Sequence, residues 1–179
     1  MDELYDRIDT IYVENDKFSY TTSVDTITSA YLLLKNRIEY PVFLDKGNKI
    51  KIKGDTINLN FLTISGNIYN EEFTDFQKAL EDPADPSEKA GEETVDKRIT
   101  VEKANTAEEM AEEFILQHHS SYVSLYLLDK YFVQKETPDF SKIKKLVEVM
   151  TGVLQDKPYI ERLNETITQA EKSEIGKYA

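Results

Sequence analysis

The stretch SSYVSLYLLDKYFV, residues 120–133, is the most apolar run in the chain. On a helical wheel Tyr122, Val123, Leu125, Tyr126, Leu127, Leu128, Tyr131, Phe132 and Val133 leave no polar face. The exceptions Ser124, Asp129 and Lys130 point in three directions. A helix that is hydrophobic all round must be covered all round. The segments that follow supply part of that cover. Phe140, Ile143, Val147, Met150 and Leu154 form a helical stripe after Thr137-Pro138, with proline expected at the first helical position. Ile160, Leu163, Ile167 and Ala170 form another after Pro158. Before the run, Thr106 and Glu109 make a capping box, and the helix they open is expected to lie end to end with residues 120–133. This arrangement leaves one side of the rod open. Either the N-terminal residues close it or another chain does. Three tyrosines on the rod suit an interface, because tyrosine joins a large apolar area to a polar tip. Tyr122, Tyr126, Tyr131 and Phe132 are the candidate protein interface.

Upstream, SVDTITSAYLLLKNRI places Val24, Ile27, Tyr31, Leu34 and Ile38 at helical spacing behind Ser23, and Leu4, Ile8 and Tyr12 suggest a short helix over 2–12. The period then falls to two. Ile50 and Ile52 alternate with Lys49, Lys51 and Lys53. Beyond Gly54-Asp55, Ile57, Leu59 and Phe61 alternate with polar residues, which predicts a hairpin with a two-residue Gly-Asp turn. Residues 41–44 offer a third strand. Tyr69, Phe73, Phe76 and Leu80 then line one face of a helix, with Asn70 as its expected cap.

The predicted class is α+β: N-terminal helices with a small antiparallel hairpin sheet over 1–81, an acidic linker or docking arm over 82–105, and a helical bundle over 106–179. The net charge of −12 is unevenly spread. Residues 71–96 carry ten acidic and two basic side chains, while 1–70 and 97–179 are each close to neutral. A nucleic-acid mimic needs negative charge over a folded surface, so that role falls to a secondary reading, an acidic decoy acting through 71–96.

Chemistry leaves little trace. There is no cysteine, which removes disulfides, thiolate metal sites and a cysteine nucleophile together. His118 and His119 are adjacent, so on a helix they diverge by about 100° and do not share a metal. No phosphate loop, dinucleotide fingerprint or nucleophile elbow occurs, and the six glycines do not cluster. No enzyme and no cofactor are expected. Lys49, Lys51 and Lys53 form a candidate weak anion contact, about 6.6 Å apart along a strand. They equally suit a strand edge guarded against aggregation, or a surface against which the acidic 71–96 segment lies. The N-terminal MDELYDRIDT resembles neither a signal nor a transit peptide. No apolar run nears the roughly 20 residues of a membrane span. The expectation is a non-enzymatic interaction subunit of a larger assembly, such as an accessory component of a virion or other complex. It would be cytoplasmic or held in a particle assembled there, with a protein partner or further copies of itself and at most weak contact with nucleic acid.

Overall fold

A computed structural model describes residues 8–34, 38–54, 61–81, 106–155 and 157–175. The chain is α+β, with two antiparallel two-stranded sheets followed by five helices. Strands β1 (Thr28–Leu33) and β2 (Glu39–Leu44) form the first sheet, and β3 (Lys51–Gly54) and β4 (Leu62–Ser65) the second. Helix α1 spans Ile68–Glu81, α2 Ala107–Gln117, α3 Tyr122–Leu128, α4 Phe140–Val149 and α5 Pro158–Ile175. The predicted acidic linker, 82–105, lies outside the described residues.

Strands come first, which corrects the helices-first expectation. Residues 28–33 form β1, paired with β2 from Thr28↔Leu44 to Leu33↔Glu39. The run Leu32-Leu33-Leu34 satisfies a helical or an alternating period equally. Pairing with the apolar β2, where Tyr40, Val42 and Phe43 are buried, decides between them. Residues 8–12 are not helical, and 1–7 lie outside the described residues. The second hairpin exists, but its register runs from Lys51↔Ser65 to Gly54↔Leu62. Gly54 therefore sits inside a strand, and a two-residue Gly-Asp turn is excluded. The predicted alternation at Ile57 and Leu59 falls outside the described residues.

Two side chains of α1 close the inner flanks of the sheets. Asn70 accepts from Phe43 N–H through Oδ1 at 2.9 Å and donates to the Phe43 carbonyl through Nδ2 at 2.8 Å. Thr74 Oγ1 accepts from Ile64 N–H at 3.0 Å and donates to the Ile64 carbonyl at 2.9 Å. Each side chain thus offers one donor and one acceptor to a strand residue, as a neighbouring strand would. One helical turn separates the two positions, so both face the sheets. Asn70 is consequently not the cap. Asn67 is, its Oδ1 accepting from Asn70 N–H at 3.0 Å. The flanks also join directly, since Leu62 N–H donates to the Tyr40 hydroxyl at 2.8 Å.

In the C-terminal half the Thr106–Glu109 capping box forms as the sequence predicts. α2 does not continue into α3. Its last turn ends at His118, whose carbonyl accepts from Ser121 N–H and Ser124 Oγ, and Ser121 caps α3. The chain therefore folds back, and the Glu108–Lys135 ion pair brings the start of α2 beside the end of the 120–133 stretch. After α3, residues Asp129–Val133 wind as a π-helical turn, with Gln134 N–H donating to the Asp129 carbonyl at 3.0 Å. α4 begins two residues later than expected: Asp139, not Thr137, caps it by accepting from Lys142 N–H at 3.0 Å, and Pro138 precedes the cap.

The rod 122–133 is covered by its own chain, so the open side expected from the sequence is closed. α1 supplies Tyr69 against Tyr122 and Phe73 against Tyr126, with ring centroids 5.3 Å apart in both pairs, and Phe76 against Tyr131 at 6.3 Å. The first sheet adds Phe43 and Tyr31, each 6.4 Å from Tyr126. α2 brings the buried Ala111 and Ile115. Ile143, Leu146 and Val147 of α4 and Ile160, Leu163 and Ile167 of α5 are buried in the same core. The additional cover comes from the strands and from α2 folding back, neither of which helical periodicity shows.

Candidate protein interface

The residues ahead of β1 make a feature that the sequence reading passed over. Glu14 and Lys17 exchange both backbone hydrogen bonds, at 2.9 and 3.0 Å, around Asn15 and Asp16. Those two residues have φ of 50° and 59°, the left-handed pair of a type I′ turn, which Asn and Asp tolerate through their short polar side chains. The signal was the Asn-Asp pair between Val13 and Phe18. Tyr12 and Val13 stand on one arm of this narrow hairpin, and Phe18 and Tyr20 on the other. All four are exposed, with Tyr12 at 79%. Ile8 is exposed at 81%, and Leu33 of β1 at 65%. Tyr20 donates its hydroxyl to the Asp9 carboxylate, tying the arms at their base.

The four interface residues expected from the sequence lie elsewhere. Tyr122 and Phe132 are 6% and 2% exposed. Tyr126 and Tyr131 are half-buried, and the Lys130 ammonium lies 5.5 and 5.6 Å above their rings. Partial desolvation beside these rings lowers the Lys130 pKa, although the residue as a whole stays exposed. The only residue of 121–133 left exposed is Lys130. The π-helical turn instead carries a polar junction inside the fold: Asp129 accepts from the Tyr159 hydroxyl at 2.6 Å and from Gln134 Nε2 at 2.5 Å.

Burial raises the Tyr126 pKa, helped by the nearby Tyr31, Tyr131 and Asp129. Burial and then the Asp129 hydrogen bond raise that of Tyr159. A phenol whose folded pKa lies above its unfolded value keeps its full contribution to stability below that value, about 10, and loses it as pH rises further. Alkaline titration is therefore expected to release these phenolates in the same step as unfolding. The 295 nm change of these two phenols, isolated by difference from the Tyr126→Phe and Tyr159→Phe variants, should coincide with the loss of far-UV circular dichroism above pH ~10, and Tyr159→Phe should raise that midpoint. Ionisation of both tyrosines before loss of circular dichroism would contradict the burial.

Lys49, Lys51 and Lys53 are exposed, as expected. They alternate with Ile50 and Ile52, which pack against the core. None of the three lysines pairs with a described carboxylate. The acidic decoy rests on residues 71–96, of which 71–81 belong to α1 and the rest lie outside the described residues. His118 closes α2, stacks on Phe114 at 4.2 Å and places Nδ1 3.4 Å from Glu72 Oε1. Ser121 Oγ donates to the same carboxylate at 2.5 Å. The carboxylate stands between hydroxyl and imidazole, so the histidine does not take the serine proton. This cluster fastens α1 to the α2–α3 junction. Among the described residues no group of three His, Asp or Glu side chains could hold a metal ion, and no helix is long and apolar enough to cross a membrane.

A family model described as a domain of unknown function, DUF4369, matches residues 1–73, the stretch that holds the Asn15 hairpin, both two-stranded sheets and the start of α1. No curated protein and no solved structure matches the chain.

Proposed function

We propose that the chain is a non-enzymatic interaction subunit of a larger assembly and that it docks through the residues ahead of and along β1. One observation carries this reading. Of the nine large apolar side chains left exposed among the described residues, seven precede residue 35: Ile8, Tyr12, Val13, Phe18, Tyr20, Tyr31 and Leu33. Single exposed apolar residues are ordinary, but their concentration on one short segment marks a contact surface. The aromatic share of the segment matches what interface centres select. The rod 120–133 supports the role differently from the sequence expectation, as the internal scaffold against which the N-terminal strands are held.

A photo-crosslinking amino acid placed at Tyr12 or Leu33, in the native source, is expected to give discrete adducts of defined mass. The same group at Thr168, on the exposed polar face of α5, serves as the control. Yields at positions 12 and 33 no greater than at 168 would overturn the reading.

A further inference from the structure

The open edge of β3 carries an inference separate from the N-terminal surface. In β4, Ile64 and Leu62 turn their amides away from β3, to Thr74 and Tyr40. Their register partners are Ile52 and Gly54. In an antiparallel pair, residues opposite one another face the same way relative to the ladder. Ile52 and Gly54 therefore point their N–H and C=O groups out from the other side of the sheet, where no described strand pairs with β3. The side chains of β3 divide by face: Lys51 and Lys53 stand exposed on one, and Ile52 packs on the core from the other.

We propose that this edge accepts an extended segment of a partner protein in which acidic and apolar residues alternate, adding a third strand to the β3–β4 sheet. An added strand would lie about 4.8 Å from β3. Its side chains on one face would stand beside Lys51 and Lys53, where carboxylates are favoured. Those on the other would continue the apolar face of Ile52. The same lysines reject a second copy of β3, because like charges directly opposite destabilise a pair. The edge is thus selective for charge, not merely guarded. A nucleic-acid strand suits it less well. Phosphates answer the ammonium groups but offer no donor to the outward carbonyls of Ile52 and Gly54, and the lysine strand itself carries no arginine to grip them.

The test uses the full chain with two capped peptides, one alternating glutamate and valine, the other lysine and valine. Amide exchange is read by NMR at Ile52 and Gly54. Both amides are expected to exchange rapidly in the free chain and to slow at least about tenfold with the glutamate peptide only. In the Lys51→Glu/Lys53→Glu double variant the preference should pass to the lysine peptide. Slow exchange in the free chain, equal protection by both peptides, or protection by oligothymidylate alone would each overturn the proposal. Because neither peptide touches the hairpin at Asn15, the result stands apart from the crosslinking at Tyr12.

Discussion

Replacing Asn70 with alanine is expected to lower stability by about 2–4 kcal/mol, more than its small loss of volume suggests. The side chain is 1% exposed and supplies both a donor and an acceptor to Phe43. Without it the Phe43 amide is left buried with nothing to receive its proton. The Phe43 carbonyl keeps one donor, Asn67 Nδ2 at 2.8 Å. Asn70→Asp is the sharper companion variant. Its carboxylate still accepts from Phe43 N–H, but it cannot donate to the carbonyl and it buries a charge. It should therefore be as damaging as alanine at neutral pH and recover part of the loss as the pH falls and the carboxyl protonates. Urea unfolding at several pH values checks both outcomes. A loss under about 0.5 kcal/mol in Asn70→Ala, typical of a surface substitution, would mean that the strand flank is not closed by this residue.

Phe43→Ala is expected to cost about 3–5 kcal/mol, through lost burial and an incompletely filled cavity. The ring is 0% exposed and sits edge-on to Phe73 at 6.3 Å and to Tyr126 at 6.4 Å. Those partners belong to α1 and α3, so Phe43 lies where the N-terminal strands and the C-terminal helices share one core. The form of the unfolding curve matters as much as its midpoint. A shared core predicts one transition that moves as a whole, with fluorescence and circular dichroism coincident. Two separate modules would show two transitions, only the earlier-melting N-terminal one shifted.

Much of the helical half was legible from sequence because its signals are local. The Thr106–Glu109 box and the Ile160, Leu163, Ile167 stripe need only neighbours three or four residues away, and both appear as read. The strand at 28–33 was not legible in the same way. Its leucines fit two periods, and the partner that selects one of them begins at Glu39. The placement of α1 over the sheets was equally hidden, since nothing local says that Asn70 bonds a backbone 27 residues earlier. The burial of Tyr122 and Phe132 was hidden for a related reason. An all-round apolar helix signals that cover is needed, not where in the chain the cover comes from. The exposed hairpin at Asn15 had a readable turn signal, but apolar residues near an N-terminus invite a helical reading first.

The strand-like use of Asn70 and Thr74 has a consequence for the order of events during synthesis. A ribosome emits both hairpins before it emits the helix that completes them. Isolated two-stranded hairpins are marginal in water. Until residue 74 has left the exit tunnel, Phe43 and Ile64 can satisfy their amides only with solvent, so the N-terminal half is born waiting for a later segment to set it.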